Sequence, residues 1–260
     1  MRTVVLAKYV PDATADRRFD PADHTTVRDD IESRLSELDE YAVEQAVRLS
    51  EQSGGEVLVV LMGPGGAADA ALRALQMGAT AAVHVRDAAL RGTDAAGTAL
   101  VLAAAVGRAG GADLVLTGMA STDAGTGLVP AMVAHRLGLP FVGYVDELDV
   151  AGGTATGARE TEAFRERFEV ALPAVVAVTD HINEPRYPSF KAIMAAKKKP
   201  VEVIALTDLG IAPDEVGFAG ARTAVESALR RPARSSGEVV KDDGDGGARM
   251  VAYLVDNRLI

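Results

Sequence analysis

EVLVVLMGPGGAADAALRALQMGATAAVHVRD, residues 56–87, decides the fold of this chain. It opens on an apolar β-branched run, EVLVVLMGP, that stops in a turn at Gly63 and Pro64. An alanine-rich stretch, AADAALRALQMGA, follows, and then a second short run, AAVHVRD. Strand, helix, strand is the expected order, because parallel strands need a crossover and a tight turn cannot supply one. The same alternation surrounds it. TVVLAKYV (residues 3–10) reads as a strand, and SELDEYAVEQAVRLSEQSGG places Leu38, Tyr41, Ala42, Ala46, Val47 and Leu49 at helical spacing before the stop at Gly54 and Gly55. DAAGTALVLAAAVGRAGG is the next helix and ADLVLTG (residues 112–118) the next strand. Four such repeats predict an α/β protein: a mainly parallel, Rossmann-like sheet with helices on both faces.

From Phe141 the pattern changes. Alternating polar and apolar positions around Gly152–Gly153, and again around residues 161–163, predict antiparallel strands that extend the same sheet and lead to the apolar strand at residues 174–178. VEVIALTDLGI after Pro200 adds one more strand. Residues 213–247 are rich in Pro, Arg, Ser, Gly and Asp and read as a mobile linker, ahead of an amphipathic helix, ARMVAYLVDNRL. The expected division is a nucleotide-binding domain over residues 1–210 and a C-terminal arm over residues 211–260, whose helix docks on a partner chain or packs back on its own domain.

Composition narrows the chemistry. The 260 residues are 48% hydrophobic and only 4% aromatic, so Ala, Val and Leu must fill the core. Zero cysteines exclude disulfides, thiolate metal sites, thiol nucleophiles and iron–sulfur ligation, so any redox chemistry uses a borrowed cofactor. A formal charge of -10 argues against nucleic acid as a partner. The N-terminus meets a charge and a proline too early for a signal peptide, and no apolar run reaches membrane-span length, which predicts a cytoplasmic protein with no direct membrane insertion.

In an open parallel sheet, ligands sit beyond the carboxyl ends of the strands. Those ends fall at Ala7–Lys8, at Met62–Gly63–Pro64, from Asp87 onward, and at Gly118. The last is the most informative: TGMASTDAGTGLVPAMVAHRLG runs from a buried strand through small hydroxylated residues into a helix expected near Thr126. Glycines at 118, 125 and 127 admit close approach of a ligand, Ser121, Thr122 and Thr126 offer hydroxyls, and free helix amides favour a phosphate. The stretch is neither a Walker A loop nor GxGxxG, and Ser-Thr-Asp also serves as a plain N-cap. Lys8 can be a solvated strand end; Asp39 and Glu40 can be helix-dipole partners. None of His24, His84, His135 and His181 has a paired acid at useful spacing, and no catalytic or metal-ligand cluster stands out.

Four segments nevertheless carry a resemblance: VLAKYVPD, LDEYAVEQAVRL, GMASTDAGTGLVP and, above all, LPAVVAVTDHINEPRYPSFKAIMAAKKKP. Together, over roughly residues 2–210, the chain resembles the beta subunit of electron transfer flavoprotein. The resemblance implies a heterodimer whose alpha subunit holds most of a shared FAD, while the beta subunit buries an AMP. It places AMP contacts on Leu6, Ala7 and Lys8, on Ser36, Glu37, Leu38 and Asp39, on Met62, and on Gly118, Met119, Ala120, Ser121, Thr122, Asp123, Ala124, Gly125 and Thr126. Two departures stand out: Ser36–Glu37 replaces an Asn-Pro pair, and Ala13 stands where relatives can place an aromatic against the flavin. The function implied is an electron carrier without catalytic residues of its own, taking electrons from acyl-CoA dehydrogenases and passing them to a membrane quinone oxidoreductase in fatty acid oxidation. Alternatives are a bifurcating flavoprotein with a second FAD in the AMP position, a stand-alone nucleotide-binding regulator of the universal-stress type, and an ATP-pyrophosphatase, whose glycine-rich phosphate loop is replaced here by KYVPDAT.

The run at residues 181–200 carries five bases (Arg186, Lys191, Lys197, Lys198, Lys199) against one acid, Glu184, on an otherwise acidic chain. The resemblance makes it the loop that docks on the donor dehydrogenase, with contacts at Glu184, Pro185, Arg186, Tyr187 and Phe190. Phe190 is the expected apolar anchor, Tyr187 is expected to pack beneath it, the prolines to stiffen the loop, and the bases to steer encounter.

Overall fold

The computed structural model describes residues 1–28, 31–229, 231–232, 237 and 239–260. The chain runs β1 (Arg2–Ala7), β2 (Tyr9–Pro11), β3 (Ser33–Leu35), α1 (Glu37–Ser53), β4 (Glu56–Met62), α2 (Ala67–Met77), β5 (Ala81–Val85), α3 (Ala95–Arg108), β6 (Leu114–Gly118) and α4 (Val129–Leu137). It continues through β7 (Phe141–Val145), β8 (Glu147–Ala151), β9 (Thr154–Glu160), β10 (Arg165–Ala171), β11 (Ala174–Val178), α5 (Phe190–Ala196), β12 (Val201–Ile204), α6 (Gly217–Gly220) and α7 (Gly246–Asp256).

Seven strands form one sheet in the order β12-β5-β4-β1-β6-β11-β7, every pairing parallel. From β1 the chain winds outward through β4 and β5, then crosses to the opposite side of β1 with β6. The order therefore reverses between β1 and β6, where Leu6 lies opposite Thr117. Helices α1 and α2 cover one face, where Ala42, Val43, Ala46 and Leu75 pack on Val5, Val59 and Leu116. Helices α3 and α4 cover the other, where Val101, Leu102, Ala105 and Val133 meet Val4, Val60 and Val115. Small side chains let these helices sit close to the sheet, so the core is Ala, Val and Leu as the composition requires.

Two expectations change. The strand read across residues 3–10 breaks at Lys8, because the Lys8 amide donates to Asp39 Oδ2 at 2.8 Å and its carbonyl accepts from the Ser36 amide at 2.9 Å. Tyr9–Pro11 then pairs antiparallel with Ser33–Leu35 instead. The antiparallel meander β8-β9-β10 is present, turning at Gly152–Gly153, but it is a sheet of its own rather than an extension of the main one. Phe141–Val145, just ahead of the meander, is the parallel edge strand of the main sheet.

Residues 1–226 form one compact unit and residues 227–260 a second. The stretch read as linker begins later than expected: Val216 is buried, the Gly217 amide donates to Thr93 Oγ1 at 2.9 Å, and the Arg222 amide donates to Asp94 Oδ2 at 2.8 Å, so the first part of residues 213–247 is docked structure. Residues 230, 233–236 and 238 of that reading lie outside the described residues. The second unit contains α7, which exposes Met250, Val251, Tyr253 and Val255. Among the described residues no helix is long and apolar enough to cross a membrane.

Candidate functional site

The crevice at the β1/β6 reversal is closed by three segments: the end of β1, the start of α1, and the loop after β6. Gly118 ends β6 against the first turn of α1; a Cβ there would lie 2.7 Å from the Leu38 carbonyl oxygen and 2.8 Å from Asp39 Oδ1. Asp39 is buried between the two strand ends. Burial pushes its carboxyl up to about 7, and the amides of Lys8 and Gly118, with the Lys8 charge, offset only part of that.

Beyond the strand ends the loop folds onto cations. Lys8 Nζ lies 2.7 Å from Asp123 Oδ1 and 3.2 Å from Ser121 Oγ, and Arg28 reaches Asp123 Oδ2 at 2.8 Å. Burial alone would raise the Asp123 carboxyl, but Lys8, Ser121 and Arg28 hold it down at about 2. Arg17 donates to the Thr122 carbonyl at 3.0 Å, and the Thr122 amide donates to Ser36 Oγ at 3.4 Å. Ser36 thus begins α1 without capping it by its side chain; its hydroxyl faces the loop instead. Lys8, Arg17 and Arg28 surround a loop that contributes one carboxylate, a charge balance that favours an anionic ligand.

The structure brings together Lys8, Ser36, Asp39, Gly118, Ser121, Thr122 and Asp123. Leu6 and Met62 stand at neighbouring strand ends with their side chains in the core on the α3/α4 face, and Ala7 faces the other core. Met119 and Ala120 are half-buried, while Glu37, Ala124, Gly125 and Thr126 point to solvent. Helix α4 starts at Val129, not near Thr126, because Gly125 and Gly127 both adopt φ +63 and Pro130 sits in its first turn. Its amides therefore begin farther along than the sequence suggests. Arg17 and Arg28 escaped the sequence reading, since nothing local in residues 13–34 reports that they meet a loop a hundred residues away.

The second predicted region is strapped to α1. Arg186 Nε lies 2.7 Å from Glu44 Oε2 and its Nη1 2.6 Å from Glu51 Oε1. Hydrogen bonds from Arg186 and Arg48 hold the Glu44 carboxyl below the usual range although burial opposes this, and Glu51 and Glu44 in turn raise the Arg186 value. Glu184 is exposed and its carbonyl accepts from Arg48 at 3.2 Å; Pro185 is half-buried. Phe190 is 80% exposed at the start of α5. Tyr187 does not pack beneath it: it is 93% exposed, with the Arg73 guanidinium 5.7 Å from its ring centroid. The basic run is also less free than its count suggests. Arg186 is neutralised by acids, and Lys199 donates to the Leu75 and Ala79 carbonyls at the end of α2, at 2.9 and 2.6 Å.

Two concavities lie outside the crevice. One, of about 510 Å³, is lined by Leu100, Arg136, Asp214, Glu215 and Arg222; the other, of about 430 Å³, by Tyr144, Phe164, Thr179 and His181. Among the described residues no group of three or more His, Asp or Glu side chains could hold a metal.

Residues 23–209 match the model of the electron transfer flavoprotein domain. The chain belongs to the electron transfer flavoprotein beta-subunit family. It is 44% identical over 262 aligned residues to the electron transfer flavoprotein subunit beta of Mycobacterium leprae, covering 99% of this chain and 98% of that one. It is 33% identical to the subunit of the same name in Clostridium acetobutylicum, covering both chains fully. It is 34% identical to the Caffeyl-CoA reductase-Etf complex subunit CarD of Acetobacterium woodii, over 92% of each chain. Membership sets aside the universal-stress and ATP-pyrophosphatase readings. It gives the chain an electron-transfer role, an association with flavin, and an alpha subunit as partner.

Proposed function

We propose that this chain is the beta subunit of a heterodimeric, FAD-containing carrier that accepts electrons from acyl-CoA dehydrogenases and passes them to a membrane quinone oxidoreductase, in the cytoplasm. The alpha subunit holds most of the FAD, and the flavin supplies the redox chemistry. This chain does no bond chemistry; it binds a nucleotide, supports the flavin-bearing partner and presents a docking segment. Residues 1–210 serve as the AMP-binding domain, and the arm over residues 211–260 packs its amphipathic helix on the alpha subunit.

The observation that carries the reading is the pair of exposed aromatics, Tyr187 and Phe190, projecting from a segment tied by ion pairs to the buried Glu44 and the exposed Glu51 of α1. A rigid apolar anchor lowers the ordering cost of a transient complex. The donor set in the crevice fits a nucleotide phosphate: Lys8 and Arg28 supply charge, Ser36, Ser121 and Thr122 supply hydroxyls, and Gly125 leaves the backbone open. The same donor set would also take the phosphates of a second FAD, so a bifurcating complex with FAD in place of AMP is the second reading.

Co-expression with the alpha subunit, followed by mass spectrometry of released nucleotides, separates the two. One FAD and one AMP per heterodimer supports the plain carrier; two FAD and no AMP supports bifurcation. Phe190→Ala should slow electron acceptance from an acyl-CoA dehydrogenase with bound flavin unchanged, and equal rates across dehydrogenase concentrations would remove the docking role.

A further inference from the structure

We propose that Glu44 is a positioning residue for electron delivery: from helix α1 it fixes residues 183–187 so that Tyr187 and Phe190 are held toward the redox partner in one orientation. The proposal rests on the reading of residues 184–190 as the docking segment. Glu44 is an acid on the buried side of a helix, only 2% exposed, and it belongs to no part of the nucleotide crevice. Its carboxylate accepts from Arg186 Nε at 2.7 Å, from the Arg186 backbone amide at 3.2 Å, from Arg186 Nη2 at 3.2 Å and from Arg48 Nε at 2.6 Å.

The neighbours of Glu44 on α1 extend the grip. Asn183 Nδ2 donates to the Tyr41 carbonyl at 3.1 Å and to Gln45 Oε1 at 3.3 Å, Arg48 Nη2 donates to the Glu184 carbonyl, and Glu51 takes the far side of the Arg186 fork. Tyr41, Glu44, Gln45, Arg48 and Glu51 fall on one stripe of the helix, as their spacing requires. These bonds end at Arg186, immediately before the aromatics emerge. Tyr187 is referenced to the same helix, since Arg73, which lies over its ring, pairs with Glu40 of α1 at 2.9 Å. A planar guanidinium held by two carboxylates and its own backbone fixes both the position and the rotation of the chain, which a single apolar contact does not.

The test uses the heterodimer with Glu44→Gln, Glu44→Asp, Phe190→Ala and the Glu44→Gln/Phe190→Ala double variant, and an acyl-CoA dehydrogenase reduced by its acyl-CoA substrate as donor. Glu44→Gln should raise the KM for the dehydrogenase about tenfold with the limiting rate and flavin content unchanged, because one partner of a buried charge pair is lost and the anchor is no longer aimed. Hydrogen exchange should quicken across residues 183–190, and Glu44→Asp should fall between wild type and Gln. The double variant should lose less than the two single variants summed, since only Tyr187 is left to be mis-aimed. If Glu44→Gln heterodimer is not recovered, Glu51→Gln carries the same test by removing the other carboxylate that grips the Arg186 fork. Unchanged KM in Glu44→Gln alongside an impaired Phe190→Ala would overturn the proposal, as would fully additive effects, which mark a merely structural role. No effect of Phe190→Ala would instead bring down the docking reading, and the proposal with it.

Discussion

Asp39→Asn should remove a loss of stability that the wild type suffers as pH rises. The Asp39 carboxyl is driven from its ordinary 3.8 to about 7, first by burial, with the Lys8 and Gly118 amides pulling the other way. The folded state therefore keeps a proton that the unfolded chain releases above pH 4. Stability from this group is fully present below pH 4, falls as pH rises toward 7, and is level above that. A shift of about three units corresponds to about 4 kcal/mol across the window. Asparagine keeps an acceptor for one strand-end amide and cannot ionise. The assay is urea unfolding of wild-type and Asp39→Asn heterodimers at fixed concentration between pH 5 and pH 8, taking the difference so that other titrating groups cancel. From pH 5 to pH 7 the wild type should lose about 2 kcal/mol relative to the variant, less than the full slope because the folded carboxyl is half ionised at pH 7. A difference that stays flat, or that favours the wild type as pH rises, would refute the buried, amide-held geometry of Asp39.

The remaining predictions concern the same crevice. Gly118→Ala drives a Cβ against the Leu38 carbonyl and the Asp39 carboxylate, so urea unfolding should report a loss of roughly 1–3 kcal/mol; a neutral result would mean that α1 does not sit on β6. Asp123 has the opposite pH sign to Asp39: its carboxyl is held at about 2, so its contribution is present above pH 4 and is lost as pH falls toward 2. Asp123→Asn should therefore cost about 2 kcal/mol at pH 7 and progressively less below pH 4, which unfolding at pH 3, 4 and 7 would check. Gly125→Val has open space for its side chain but must hold φ +63. That strain, about 1–2 kcal/mol, should reshape the loop and lower the AMP recovered per heterodimer; full AMP occupancy would place the phosphate elsewhere.

What the sequence showed and what it hid divides along physical lines. Strands buried on both faces read as unbroken apolar runs, and a glycine stop marked the end of α1, so the parallel sheet and its two helical layers were legible. The break at Lys8 was not, because its amide partner is a carboxylate on a later helix and TVVLAKYV carries no local mark of it. Alternation announced the hairpins around Gly152–Gly153 but says nothing about which sheet they join. The loop after β6 was located by its glycines and hydroxyls, yet its cations arrive from Arg17 and Arg28. Charge was the most misleading signal: Arg186 counts as a free base in sequence, whereas in space it lies between Glu44 and Glu51, and Lys199 is engaged by the end of α2. The exposed bases left in the proposed docking segment and the helix after it are Lys191, Lys197 and Lys198. Exposed charges such as these are screened within a Debye length of about 8 Å at physiological salt. In the docking role proposed above, they would orient the approach of a partner, while affinity and register would fall to Phe190, Tyr187 and the Glu44–Arg186 pair beside them.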